Sequence, residues 1–185
     1  MAKPLKKANF PLGEVRRHLE PGPLVLVSSA HKGATDIMVM GWHTMMEFEP
    51  ALFGCYIWDK NYSQRLIRKS RECVINVPTL DLIDKVVGVG NTHGDEVDKW
   101  EKFGLTPDKA SKVSAPLIRE CYASFECKLH DDRMVKRYGF FIWEIVRAHV
   151  APVKDPKTLH YRGQGEFMVA GKRVSKRAKF RPENL

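Results

Sequence analysis

Two short stretches carry side chains that could do chemistry, one suited to a planar heteroaromatic ring and the other to an anion. In "IMVMGWHTMM", residues 37–46, an oily run is interrupted by Gly41, Trp42, His43 and Thr44 in succession. Glycine permits close backbone approach, the indole offers a broad apolar plane, and His and Thr offer hydrogen bonds that a heteroaromatic ring can use. A core Trp beside an exposed His accounts for the same residues. In "DKNYSQ", residues 59–64, Asn61 and Ser63 open an apparent helix, where unpaired N–H groups and the positive end of the helix dipole favour an anion. Ordinary N-capping also explains them.

Other constellations carry less. The seven histidines are dispersed, with no HExxH and no His/Cys pair at ligand spacing, so no metal site is expected. No GxSxG is present, no thiol has a local partner, and "HDDR" (130–133) reads as an acidic turn, so no catalytic residue is nominated. "GVGNTHG" (88–94) lacks the GxGxxG spacing and follows a helix rather than a strand, which excludes a Rossmann loop. Its flexible backbone, with Asn91 and Thr92, suits close approach to a ligand, and a helix stop followed by a turn suits the sequence equally.

The elements that must position these groups follow from periodicity. "GPLVLVSSA" reads as a strand from about Leu24 to Ser29, "HKGATD" as a turn, and Ile37 to Thr44 as a second strand with Met38, Met40, Trp42 and Thr44 on one face. Ala51 to Trp58 is the third strand, and three in a row predict an antiparallel meander. "DKNYSQRLIRKS" predicts a short helix, "ECVINVP" a strand, and "TLDLIDKVVGVG" a second helix. A long polar segment follows, with one helical turn around Val97 to Phe103. Then Cys121, Ala123, Phe125, Cys127 and Leu129 alternate with Tyr122, Ser124, Glu126, Lys128 and His130, predicting a strand with one wet face. Tyr138 to Val150 reads as a more uniformly apolar strand. Six or more short strands, two helices and no βαβ alternation predict a mostly β, antiparallel barrel or sandwich.

Composition sets the frame. With 185 residues and 43% hydrophobic content, the chain is expected to fold as one domain. It has no apolar run of the roughly 20 residues that a membrane helix needs. The basic start lacks the apolar stretch and cleavage site of a secretory signal, and four widely spaced cysteines read as reduced thiols in a cytoplasmic protein. The net charge of +9 admits nucleic acid, an anionic membrane surface or phosphorylated small molecules as partners. Much of it lies in "GKRVSKRAKFRPENL", which reads first as a solvated tail.

In their order along the chain, "MGWHTMMEFEPALFGCYI", "YSQRLIRKSRECVINVP", "VDKWEKFGLTP", "APLIRECYASFECKL" and "LHYRGQGEFMVAG" resemble the flavin reductase-like family, most of all its flavoredoxin-like members. The resemblance runs from about Pro23 to Lys172. It implies an FMN-binding split β-barrel, antiparallel and of Greek-key type with a few short helices, over residues 21–171, between a leader (1–20) and a basic tail (172–185). It also implies a homodimer with flavin at or near the subunit interface.

Carried onto this sequence, the resemblance gives Met40, Gly41, Trp42, His43 and Thr44 to the isoalloxazine ring and Asn61, Tyr62 and Ser63 to the phosphate. Asn91 and Thr92 join the expected cofactor contacts, Lys99 reaches toward the flavin, and Tyr161 with Arg162 closes over it. Asp59 departs from the pattern, because many members carry a basic or hydroxyl residue near 59–61. The implied activity is that of an FMN-dependent oxidoreductase fed by NAD(P)H or by a redox partner protein, with an electron-transfer flavoprotein as the alternative. The expectation of another class is a basic β-barrel holding nucleic acid through its tail and aromatics such as Trp58 and Tyr62.

Overall fold

The computed structural model of the chain describes residues 4–15 and 22–181, so residues 1–3 and 16–20 of the expected leader and 182–185 of the expected tail lie outside the described residues. Lys32 and Gly33 both take positive φ (49° and 84°), the backbone that a two-residue hairpin demands. Strand β2 (Val25–His31) therefore folds straight back as β3 (Ala34–Met40). The expected turn across "HKGATD" shrinks to those two positions, and Thr35 and Asp36 belong to the strand.

The main sheet runs β3–β2–β6–β9–β10–β5–β4, with every neighbouring pair antiparallel. Here β4 is His43–Glu47, β5 Leu52–Tyr56, β6 Glu72–Val77, β9 Ala123–Asp131 and β10 Phe140–Val150. Strands β3 and β4 stand at opposite ends of this order, yet only Gly41 and Trp42 separate them in sequence. Met40 and His43 can be at most roughly 11 Å apart at the Cα atoms. The sheet must therefore curl until its two edges nearly meet, which makes it a split β-barrel. This corrects two expectations: Ile37–Thr44 is not one strand, and the first three strands are not a meander. Gly41 and Trp42 form a corner between two strands.

The barrel is filled by Val25, Val27, Met38, Met40, Phe53, Cys55, Ile75, Phe125, Phe141 and Trp143, all buried. On the opposite face of β2 and β3, Leu24, Leu26 and Ile37 pack against helix α2 (Ile83–Gly90) and against Trp100 of α3 (Lys99–Lys102). Helix α1 (Tyr62–Ser70) is built as its sequence predicts. It turns Leu66 and Ile67 inward, carries Arg68 and Lys69 in its last turn, and ends at Arg71 in the left-handed region. After a charged turn, α4 (Val135–Tyr138) leads into β10, so Tyr138 is helical rather than part of the strand.

The wet face predicted for β9 is largely covered. Ser124 and Glu126 are fully buried, because residues 109–118 fold over them. Glu126 accepts hydrogen bonds from Ser111 N and Oγ, Lys112 N and His149 Nε2, at 2.5–3.1 Å. Asn76 Oδ1 accepts from Ser124 Oγ (2.8 Å) and Ile118 N (3.0 Å). The long polar segment is thus a fixed cover that satisfies buried polar groups. It includes the short pair β7 (Pro107–Asp108) and β8 (Leu117–Ile118). Part of the expected leader also lies on the barrel. β1 (Ala8–Asn9) pairs with the end of β10, and Lys7 Nζ donates to the carbonyls of Ile118 and Arg119. A last hairpin, β11 (Leu159–Gly163) with β12 (Glu166–Val169), is held to β2 by the bond from Leu24 N to Leu159 O.

Candidate functional site

The corner between β3 and β4 has a buried foundation and an open top. Met40 ends β3 inside the core, while Gly41 is exposed, and a side chain built on it would meet nothing within 4 Å. Trp42 is 74% exposed despite its size, with its ring tilted against Tyr56 at 5.5 Å. The Trp42 carbonyl accepts from Tyr56 N, fixing the corner to β5. Thr44 is exposed on β4, opposite Gly54.

His43 is the anchored member of this group. Its Nε2 lies 2.7 Å from the carbonyl oxygen of Pro23, which can only accept, so Nε2 carries the proton. Its ring packs on Phe53, and its Nδ1 is buried without a partner. Burial pushes the pKa below the ordinary His value, outweighing the Pro23 hydrogen bond. A neutral imidazole is what this pocket tolerates.

The helix opening lies further along β3. Asn61 is the N-cap of α1 in extended conformation, but no side chain caps the first turn and no acid stands in it. Ser63, expected to face a phosphate, is fully buried, and its hydroxyl donates to Asp36 Oδ2 at 2.5 Å. Lys99, expected to reach toward the flavin, is also buried. Its Nζ donates to Ile37 O at 2.6 Å and stands 3.1 Å from Asp36 Oδ1 as an ion pair, without hydrogen-bond geometry to that oxygen. Asp36 therefore gathers two of the predicted residues beneath the surface. Sequence reasoning missed it by assigning it to a turn; its usable signal was an acid in alternation with Met38 and Met40.

The glycines of "GVGNTHG" approach the protein rather than empty space. A side chain on Gly88 would strike Phe103, one on Gly90 would touch Val39 at 3.5 Å, and one on Gly94 would collide with the Asp36 carboxylate. Residues 90–94 thus run along the edge of β3 from Val39 back to Asp36. Thr92 caps its own helix by donating to Gly88 O (2.7 Å), and Asn91 is exposed. Tyr161 sits on β11, half exposed, against Phe167. From Asp36 to Gly41 the strand rise gives about 16 Å between the two halves of the site.

All four cysteines are buried and free, and burial pushes the Cys55 and Cys121 thiols up to about 12. Among the described residues no three His, Cys, Asp or Glu side chains converge as a metal site, and no helix is long and apolar enough to cross a membrane.

Known proteins repeat this arrangement of chain. A protein of Archaeoglobus fulgidus described as uncharacterised is 32% identical over 134 residues, covering 72% of this chain and 75% of its own. The Escherichia coli protein YddH, also described as uncharacterised, is 27% identical over 179 residues, covering 89% and 95%. Among solved structures, an FMN-binding domain of a flavin reductase-like enzyme from Shewanella baltica superposes with a TM-score of 0.86 at 24% identity, over 94% of this chain and 98% of that one. Flavoredoxin of Desulfovibrio vulgaris does so at 0.77 and 22%, over 85% and 91%. These two establish the shared split-barrel fold. The sequence pattern of the flavin reductase-like domain matches residues 16–167, which include the corner, the start of α1 and the buried Asp36 cluster, and this chain belongs to that family.

Proposed function

We propose that the chain binds FMN and acts as a flavin-dependent oxidoreductase, passing reducing equivalents from NAD(P)H or a redox partner protein to an acceptor. The observation that carries this is the pairing of an open aromatic corner with an uncapped helix start at the two ends of one strand. Gly41 leaves room, Trp42 presents an exposed plane, and the first turn of α1 has N–H groups with no acidic residue of its own and no side-chain cap. The 16 Å that the strand rise puts between them, roughly, suits a flavin ring joined to a phosphate by a ribityl chain. Asp59 is exposed and lies before the N-cap, outside the first turn.

In this proposal Gly41, Trp42, His43 and Thr44 hold the ring on the foundation of Met40, and Asn61 and Tyr62 receive the phosphate. Ser63 and Lys99 act from beneath through Asp36, fixing the first turn of α1 against β3. Asn91, Thr92 and Tyr161 flank the site. When bound, FMN supplies the redox chemistry itself. The protein's part is to bind, orient and exclude water, and no side chain is asked to move a proton.

The proposal includes a homodimer. On and beside β4, β5 and β10, Met46, Trp58 and Tyr138 are exposed, with Met46 and Phe140 meeting over Gly54. A second copy would cover them.

Titration with FMN tests the core of it: yellow protein with absorption in the blue is the expected result, and failure to bind FMN overturns the proposal. Anaerobic mixing with NADH or NADPH then separates donors. Bleaching marks direct reduction, and bound but unbleached flavin points to a redox protein.

A further inference from the structure

A second cleft is lined in part by Pro23, the residue whose carbonyl holds His43. It opens between the turn at Val153–Thr158 and the strap at Ala170–Ser175, as two adjoining hollows of about 590 and 610 Å³ that share Lys154, Asp155, Ala170, Gly171 and Arg173. Each falls within the roughly 300–1,000 Å³ of small-molecule sites. The two hollows differ in character. The first is walled by Phe10, Pro23, Val153 and Pro156; the second by Lys154, Lys157, Lys172 and Arg173. Asp155 is the single acid of the cleft, and its carboxylate lies 3.4 Å from Arg173 Nε, which orients that guanidinium.

Charge concentrates here. Between positions 154 and 181, nine Lys and Arg residues stand against Asp155 and Glu166 alone, so seven of the chain's nine net positive charges fall in this segment. The strap begins at residue 170, beyond the 16–167 of the family match, while Lys154, Lys157 and Arg162 lie within it. An apolar slot opening onto converging cations suits a flat base joined to a phosphate dianion, with Arg173 offering a forked donor and the lysines point charges. A polyanion would instead follow the exposed run from Lys176 to Arg181, where Phe180 is the one aromatic available for stacking.

We propose that this cleft binds the 2′-phosphoadenosine end of NADPH. The proposal rests on the flavin reading above. Pro23 links the two places, since it lines the cleft while its carbonyl holds His43 of the corner. The 2′-phosphate distinguishes NADPH from NADH and meets the cationic half of the cleft.

The test is calorimetric titration of the full chain, with and without FMN, using 2′,5′-ADP, 5′-AMP and a short single-stranded RNA. The expected result is that 2′,5′-ADP binds about tenfold or more tightly than 5′-AMP. Lys172→Ala with Arg173→Ala abolishes that preference, leaves FMN affinity unchanged, and is not copied by Lys176→Ala with Lys179→Ala. Equal affinity for the two nucleotides, equal loss in the two double variants, or RNA that binds more tightly and displaces 2′,5′-ADP overturns the assignment. FMN binding without 2′,5′-ADP binding sinks the cleft alone, and 2′,5′-ADP binding by a chain that takes no FMN sinks the flavin reading alone.

Discussion

Asp36 and Ser63, 27 positions apart in sequence, are joined by a 2.5 Å hydrogen bond from the serine hydroxyl to the carboxylate, with both side chains out of solvent. That bond and the Lys99 ammonium on the other carboxylate oxygen make Asp36 the rivet between β3, α1 and α3.

Breaking this cluster from one side leaves an uncompensated buried charge. Asp36→Ala is expected to cost about 3–5 kcal/mol in urea unfolding, because Lys99 loses its counter-ion inside the protein. Adding Lys99→Met to that variant should recover part of the loss. A double variant that is less stable than Asp36→Ala by the full cost of Lys99→Met alone would show that the two residues act independently.

At the start of α1, stability and ligand affinity should move in opposite directions. Asn61→Asp supplies a strong cap and a favourable charge for the helix dipole, so the melting temperature holds or rises by the equivalent of about 0.3–1 kcal/mol. The same carboxylate opposes an incoming phosphate. FMN should therefore weaken at least several-fold while riboflavin is nearly unaffected, read by flavin fluorescence quenching.

The pH dependence of stability has an identifiable contributor in Glu126. Burial pushes its carboxyl up, but hydrogen bonds from His149, Ser111 and Lys112 more than offset this, and the pKa ends below the ordinary Glu value. A depressed folded value means that its contribution is complete above the unfolded pKa of roughly 4.3 and is lost as pH falls through the folded one. Thermal melts should show wild type well above Glu126→Gln near neutral pH, with the gap closing as the pH drops below about 4.

On the outer face of β4, Met46→Glu places a charge where a second copy is proposed to sit. Light scattering should report monomer for the variant and dimer for wild type, with the melting curve shifted only by the loss of association.

Much of the barrel was legible because its physics is local. α1 follows from Leu66 and Ile67 with basic residues at its end, and β6 and β10 follow from runs of β-branched and aromatic residues. What stayed hidden was set by partners distant in sequence. Nothing near Glu126 announces that residues 109–118 will fold over it, so its face looked wet. Ser63 carries a capping signal in its helix context, and only the register of β3 turns its hydroxyl toward Asp36. The stretch around Gly41 was read as the polar end of a single strand, and the structure divides it between two. The oily run contains two strand ends, and the polar residues mark the change from one sheet edge to the other.

The two-residue link between those edges also orders the protein's assembly. Hairpins β2–β3 and β4–β5 are short-range pairings complete by Tyr56, so a nascent chain can make both early in synthesis. The strands that close the gap between them, β6, β9 and β10, emerge later, the last of them ending at Val150. The corner at Gly41 and Trp42 can therefore take its final shape only once those three strands are in place.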